Sequence, residues 1–200
     1  MEPSQLAYIA QKNTDEFQAI GGGCAEVKQR EKKRWKRPPQ EVLKINCDGA
    51  FRSETMTGGW GFVIRDDSGI AIKAGAENCA HLMDALHAEM LAILAGVRAA
   101  GDLGISKVVV ETDSMLAQLA LTTSTFSLAP VGGIVYEIKY LMNLFFNSLQ
   151  VVFCPRDCNR VAHAVAAFGC KCPPDTVVSW DGMPPGLEDL VTSDITESSV

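Results

Sequence analysis

The strongest constraint on the fold is a run of three extended segments near the middle of the chain. They are VLKINCDGAF, GGWGFVIRD and IAIKAGAEN, at residues 42–51, 58–66 and 70–78. The second and third are joined by Asp67-Ser68-Gly69, a favourable sequence for a β-hairpin turn. Three strands in succession favour an antiparallel meander.

Helical periodicity begins directly after this meander. Apolar residues between 84 and 100 recur on one helical face, and KVVVET at 107–112 has the β-branched composition of a buried strand. Two further helices, a fifth strand and a last helix are predicted at 114–121, 130–146, 149–154 and 158–170. The order β-β-β-α-β-α-α-β-α predicts an α/β fold, a five-stranded mixed sheet with helices on its faces.

Charge and turn residues divide the chain into three predicted parts. Residues 1–41 read as a flexible basic leader that ends in a proline linker, 42–170 as the folded domain, and 171–200 as a loose, proline-rich acidic tail. The segment KQREKKRWKR at 28–37 is either a solvated tail, an import-receptor signal or a nucleic-acid arm. Because the net charge is −6, attraction to phosphate must come from this arm, a local patch or bound cations.

The rest of the composition is that of an intracellular globular protein. No secretory signal or membrane span is evident, so we expect a nuclear or cytoplasmic monomer that is not secreted. The seven cysteines are then expected to be free thiols. A zinc site built from Cys154, Cys158, Cys170 and Cys172 is the alternative, although their spacing fits no common ligand template.

Three acidic residues occupy unusual places in this pattern. Asp48 lies inside the first strand, Glu89 borders the apolar stripe of the first helix, and Asp113 follows the buried strand. They are either unrelated acids, with Asp113 capping the next helix, or members of one site. If the first and fourth strands are neighbours and the helix crosses them, the carboxylates converge and repel one another. Hard divalent cations, above all Mg²⁺, relieve that repulsion, and two ions can clamp a phosphodiester. Gly49 leaves room beside Asp48 for a backbone or a ligand.

His163 interrupts the small apolar residues of the last helix, CPRDCNRVAHAVAAFG at 154–169. It lies away from the apolar stripe and shares a face with Asn159, four residues earlier. From the residues alone, His163 is equally a core, a surface or a site residue.

Five segments in order resemble the type 1 ribonuclease H domain. They are INCDGAF, GGWGFVIRDDSG, LHAEMLAILAGVRAAGDLG, VVVETDS and PRDCNRVAHAVA, which together span about residues 42–170. The likeness is greatest to the plant, retrotransposon-related, reverse-transcriptase-like branch, in which a Trp and prolines often precede the first strand, as Trp35, Pro38 and Pro39 do here.

The resemblance implies a ribonuclease H-like fold and endonucleolytic cleavage of the RNA strand of RNA–DNA hybrids with two Mg²⁺ ions, Mn²⁺ being a possible substitute. It implies that Asp48, Glu89 and Asp113 hold the metal. His163 matches a fourth site position, which we expect to act as a proton carrier or a weak ligand. We also expect nucleic-acid contacts from four residues: Gly49, His87, Arg156 and Asn159.

Two departures from the family pattern bear on turnover rate and affinity more than on metal binding, and other functions stay open. The chain lacks the basic helical handle of some bacterial members, and no loop histidine precedes the last helix. The alternatives are a non-catalytic binding or interaction module derived from a transposon domain, and a different nuclease of the same superfold.

Overall fold

The computed structural model describes residues 33–198, and predictions that concern residues 1–32, most of the basic leader, lie outside it. The strands within this range are β1 (Leu43–Arg52), β2 (Thr57–Arg65), β3 (Ala71–Cys79), β4 (Lys107–Thr112), β5 (Ser148–Phe153) and β6 (Val177–Trp180). The α-helices are α1 (Ala85–Asp102), α2 (Met115–Thr122), α3 (Gly132–Phe145), α4 (Arg160–Gly169) and α5 (Glu188–Ser198), and a 3₁₀ turn spans Arg156–Cys158.

The first three strands form the predicted antiparallel meander. β1 pairs with β2, and β2 pairs with β3. The turn between β2 and β3 closes with a hydrogen bond from the Gly69 amide to the Asp66 carbonyl, and Gly69 has a φ of +84°. Glycine adopts this left-handed conformation without steric cost, which is why the hairpin turns here.

The order of the strands in the sheet is β5-β4-β1-β2-β3-β6. β1 is parallel to β4, and β4 is parallel to β5. The expected adjacency of the first and fourth strands is therefore confirmed, as is the α/β class with a mixed sheet. The last paired residues are Cys47 and Thr112, so the end of β4 lies beside the middle of β1, next to Asp48.

Strict alternation in β1 gives the sheet two different faces. Leu43, Ile45 and Cys47 lie in the main hydrophobic core, against which α1 packs. Their neighbours Lys44 and Asn46 point to the opposite face, where α4 packs, and both are buried. Side chains of a strand alternate between faces with a period of two, so the sequence L-K-I-N-C-D separates an apolar face from a polar one.

The tail differs from the prediction. Residues 177–180 add a sixth strand, antiparallel to β3, and residues 188–198 form α5 instead of a loose segment. The four residues VVSW are too short to stand out beside Pro173 and Pro174, and α5 is only weakly amphipathic. Its anchor is Asp194, a buried carboxylate held by Arg65 and Arg160, an attachment that hydrophobic patterning does not reveal.

The linker before β1 also differs from the prediction, because its described part is attached to the domain. Trp35 is buried with Cys154 and Cys158, and its ring lies 3.5 Å from the guanidinium carbon of Arg65. Stacking on an arginine and burial of the indole hold this part of the leader in place.

No helix among residues 33–198 is long and apolar enough to cross a membrane.

Candidate active site

Asp48 lies on the polar face of β1 with 4 % of its surface exposed. Its Cα partner on β2 is Gly61. A Cβ atom at Gly61 would lie 2.3 Å from the amide nitrogen of Ala166, so the absence of a side chain lets α4 pack directly on the strand. This close packing brings His163 of α4 to Asp48, with 2.9 Å between the histidine Nδ1 and the aspartate Oδ2.

Glu89 reaches the site from the first turns of α1 and is buried. The helix approaches β1 at Gly49, where a Cβ atom would lie 2.4 Å from the amide nitrogen of Glu89 and 2.5 Å from the carbonyl carbon of Ala88. The predicted close approach of a backbone at Gly49 is confirmed, since α1 occupies that space. The Gly49 N–H donates to the Glu89 carboxylate, as does the Thr112 hydroxyl.

Asp113 follows the last residue of β4, Thr112, which pairs with Cys47, so Asp113 lies beside the middle of β1 near Asp48. The alternative that Asp113 caps the next helix is wrong, because Ser114 is the N-cap of α2 and its hydroxyl accepts the Ala117 amide. The Asp113 carboxylate accepts a hydrogen bond from the Asn159 side chain at 3.3 Å, and Arg156 Nε lies 3.9 Å from it.

Asp48, Glu89 and Asp113 therefore converge, with one oxygen of each within 4.8 Å of the others. Burial, together with the charges of Asp48 and Asp113, raises the pKa of Glu89 to about 8. Burial and the charge of Asp113 also raise the pKa of Asp48 to about 6, although the hydrogen bond from His163 opposes the shift. In the absence of a cation, the three carboxylates repel one another.

This donor set fits a hard divalent cation. The three carboxylates offer only oxygen ligands, which Mg²⁺ and Mn²⁺ accept and which softer ions do not prefer. Burial is the largest cause of the raised pKa values of Asp48 and Glu89, and the charges of His163 and Arg156 near Asp48 do not offset it. A cation bound between the three oxygens would supply compensating positive charge, and its binding would release protons from the cluster.

Comparison with protein families matches residues 46–169 to the reverse transcriptase-like family, so the match covers more than half of the chain and all of the site residues. The chain belongs to the reverse transcriptase-like family. A search of the curated proteins finds no match.

Solved structures similar to this member of the family are type 1 ribonucleases H. That of RNase H1 from the halophilic archaeon Halobacterium salinarum NRC-1 has a TM-score of 0.60 and 23% sequence identity, covering 65% of this chain and 98% of that one. The RNase H domain from Mycobacterium tuberculosis has a TM-score of 0.59 at 21% identity, covering 65% and 94%. LC11-RNase H1, solved in complex with an RNA/DNA hybrid, has a TM-score of 0.59 at 19% identity, covering 64% and 96%. The fold of the chain is thus that of ribonuclease H.

The four residues expected to contact nucleic acid lie in different environments. The side chain of Arg156 is 74% exposed beside the carboxylates, and Gly49 is partly exposed against α1. His87 is half-buried at the start of α1, where Nδ1 accepts the Met83 amide, and burial lowers its pKa. The prediction for Asn159 is corrected: it is only 1% exposed and its amide bonds protein atoms, so it has no surface for a nucleic acid to contact.

The alternative zinc site does not form in the described part of the chain. Cys154 and Cys158 are buried beside Trp35, whereas Cys170 and Cys172 lie near Asn78, which donates to both of their carbonyl oxygens. The only described group of acids, histidines and cysteines close enough to share an ion is the carboxylate cluster.

The sequence did not predict two buried polar residues that hydrogen-bond to the site residues or to their partners. Asn46 of β1 and Thr112 of β4 are fully buried polar groups that contact site residues or their partners. The signal for Asn46 was the alternation L-K-I-N-C-D, which places it on the same face as Asp48. Nothing in the sequence distinguished Thr112 from a strand residue chosen for its β-branched side chain.

Proposed function

We propose that the protein is a metal-dependent endonuclease that hydrolyses the RNA strand of RNA–DNA hybrids with two divalent ions. The observation that carries this proposal is the convergence of Asp48, Glu89 and Asp113 from three different elements of a ribonuclease H fold. Buried acids that repel one another are costly to maintain, and a structural role alone does not explain them. Perturbed carboxylates grouped in this way are typical of a catalytic site.

The three carboxylates would hold the ions, with Mg²⁺ the expected species and Mn²⁺ a substitute. When bound, such ions neutralise the scissile phosphate, lower the pKa of an attacking water and stabilise the leaving 3′ oxygen. Asp48 and Glu89, whose pKa values are raised to about 6 and about 8, would have to be deprotonated to hold an ion, so ion binding should tighten as pH rises. The hydrogen bonds from Gly49 and Thr112 fix the orientation of the Glu89 carboxylate.

His163 is the fourth residue of the proposed site. With Asp48 ionised, the histidine Nδ1 donates to the carboxylate, so the neutral ring keeps a lone pair on Nε2. The side chain is 48% exposed, which gives that nitrogen access to solvent and substrate. We infer that His163 moves a proton between the reacting phosphate and solvent, because imidazole is a weak ligand for Mg²⁺.

The hybrid is the substrate that the comparisons favour. The neighbour LC11-RNase H1 is described in complex with an RNA/DNA hybrid. In this chain the exposed guanidinium of Arg156 lies next to Asp113, where it can contact a phosphate beside the scissile bond. Discrimination of RNA from DNA would use the 2′-hydroxyl groups of the RNA strand.

A strand-specific cleavage assay tests the proposal. The full chain is incubated with Mg²⁺ or Mn²⁺ and with an RNA–DNA hybrid labelled on either strand, a DNA duplex, or single-stranded RNA. We expect cleavage of the RNA strand of the hybrid alone. Asp48→Asn should abolish it, whereas Asp157→Asn, which changes an exposed aspartate of the nearby 3₁₀ turn, should not.

Three outcomes would contradict the proposal. Absence of cleavage with either ion would leave a non-catalytic binding module, and cleavage of the DNA duplex but not of the hybrid would indicate a different nuclease of this superfold. Equal cleavage by Asp48→Asn would show that the activity comes from another site or from a contaminant.

A further inference from the structure

A chain of buried hydrogen bonds lies behind the carboxylate cluster, on the polar face of β1. Its centre is Arg65, the last residue of β2, which is fully buried. One terminal nitrogen of Arg65 donates to Asp194 of α5 at 2.8 Å, and the other donates to the side-chain oxygen of Asn46 at 2.7 Å. A buried arginine needs such partners, since an unpaired charge in the interior is strongly destabilising.

The partners of Asn46 determine which way its amide points. Arg65 and the indole of Trp35 both donate to Oδ1 of Asn46, and neither side chain has an acceptor to offer. The NH₂ group of Asn46 must therefore face the other way. There it donates to Glu111 at 2.8 Å and to the side-chain oxygen of Asn159 at 3.2 Å.

The same constraint passes to Asn159. Because its oxygen faces the NH₂ group of Asn46, its own NH₂ group faces the site. It donates to the carbonyl oxygen of Cys47 at 2.8 Å and to the Asp113 carboxylate at 3.3 Å. If Asn46 turned over, its oxygen would face the oxygen of Asn159, and their repulsion would push the Asn159 amide away from its hydrogen bonds to Cys47 and Asp113.

Residues near both ends of the described polypeptide hold Arg65 in place. The ring of Trp35 stacks on the guanidinium, and Asp194 of α5 neutralises it. The two segments are also joined to each other, since Arg37 donates to the carbonyl of Ile195 near the end of α5. Cations at a helix C-terminus interact favourably with its dipole.

We propose that Asn46 and Asp194 are positioning residues of the ion site. The C-terminal helix acts through Arg65 and Asn46 to keep the N–H of Asn159 directed at Asp113. The hydrogen-bonded series from Asp194 through Arg65, Asn46 and Asn159 to Asp113 is called the relay. This inference rests on the proposed function for its catalytic meaning, but the relay itself concerns ion binding. Partners behind a ligand commonly change metal affinity by about 10–100-fold when they are removed.

The test is a calorimetric titration of the full chain with Mn²⁺, without any substrate. Asp194→Asn removes the charge that holds Arg65, and Asp189→Asn removes the same charge from an exposed position on the same helix. We expect Asp194→Asn to weaken Mn²⁺ binding by about tenfold, and Asp189→Asn to leave it unchanged. Far-UV circular dichroism and thermal melting verify that both variants are folded.

Asn46→Leu provides a second variant that interrupts the relay without altering α5. It should weaken Mn²⁺ binding in the same direction, and it decides the matter if Asp194→Asn does not fold. In the cleavage assay, excess Mn²⁺ should restore the rate of either variant while KM for the hybrid stays at its wild-type value, because the defect lies in ion affinity.

Folded variants that bind Mn²⁺ as tightly as Asp189→Asn would overturn the inference, as would a wild-type chain that binds no Mn²⁺. A wild-type chain that binds Mn²⁺ through this relay but cuts no hybrid would instead contradict the proposed function alone.

Discussion

Replacing Gly49 with alanine should damage both the stability of this protein and its proposed ion site. The added Cβ atom would lie 2.4 Å from the Glu89 amide nitrogen and 2.5 Å from the Ala88 carbonyl carbon, whereas ordinary contacts begin at 3.4 Å. β1 and α1 would have to separate by about 1 Å at this point, because both obstructing atoms belong to the backbone.

The expected loss in the free energy of unfolding is about 2–3 kcal/mol, the upper part of the range for overpacked cores. Separation of the two elements also displaces the Glu89 carboxylate from Asp48, so we expect weaker Mn²⁺ binding in the folded variant. Urea denaturation followed by circular dichroism measures the first effect, and calorimetry measures the second.

Gly133 provides the matched control. It is exposed in the first turn of α3, and no atom lies within 4 Å of the position that its Cβ would take. The same substitution there should stabilise the protein by up to about 1 kcal/mol, since glycine is a poor helix former. If Gly49→Ala were as stable as wild type and bound Mn²⁺ as tightly, the reasoning about close packing at the site would be refuted.

Three further predictions concern charge at the site. Since burial and neighbouring acids raise the pKa of Glu89 from 4.5 to about 8, the metal-free folded state holds a proton that the unfolded state loses, so stability should fall as pH rises from about 4.5 to 8. Glu89→Gln should remove the part of that slope between about pH 6 and 8, where the raised pKa of Asp48 no longer contributes. Saturating Mg²⁺ should remove the slope in denaturation experiments, and a slope of opposite sign for the metal-free wild type would contradict the shift. His163→Ala should lower the cleavage rate, alter its pH dependence and spare Mn²⁺ binding, whereas an unchanged pH–rate profile would exclude a proton-carrying role. Arg156→Ala should raise KM for the hybrid and reduce the salt dependence of binding by about one unit of slope, and an equal effect from Arg98→Ala, on the exposed face of α1, would show that the contact is not local.

The convergence of the carboxylates could be predicted because each acid occupied a place that secondary structure makes unfavourable or unusual. Asp48 inside a strand and Asp113 at a strand end both depend only on local pattern. Their meeting followed once β1 and β4 were neighbours, and the parallel pairing of these strands confirms it.

The polar layer behind the site could not be predicted in the same way. Asp194 and Arg65 are 129 residues apart in sequence, and a buried ion pair leaves no periodic trace in either segment. The prolines and acids of the tail therefore predicted a loose segment, whereas β6 and α5 form there. Asn159 was expected to contact nucleic acid because it shares a helical face with His163, whereas its burial against Asn46 depends on a residue 113 positions away in sequence.

The central claim is that this carboxylate cluster directs water at a phosphodiester of the RNA strand with the 3′ oxygen as leaving group. Mass spectrometry of RNA fragments from a hybrid cut in oxygen-18 water tests it directly. We expect one fragment to carry a labelled 5′-phosphate and the other a 3′-hydroxyl, with no product from Asp48→Asn. Fragments with 2′,3′-cyclic or 3′-phosphate ends, or identical products from Asp48→Asn, would contradict the account.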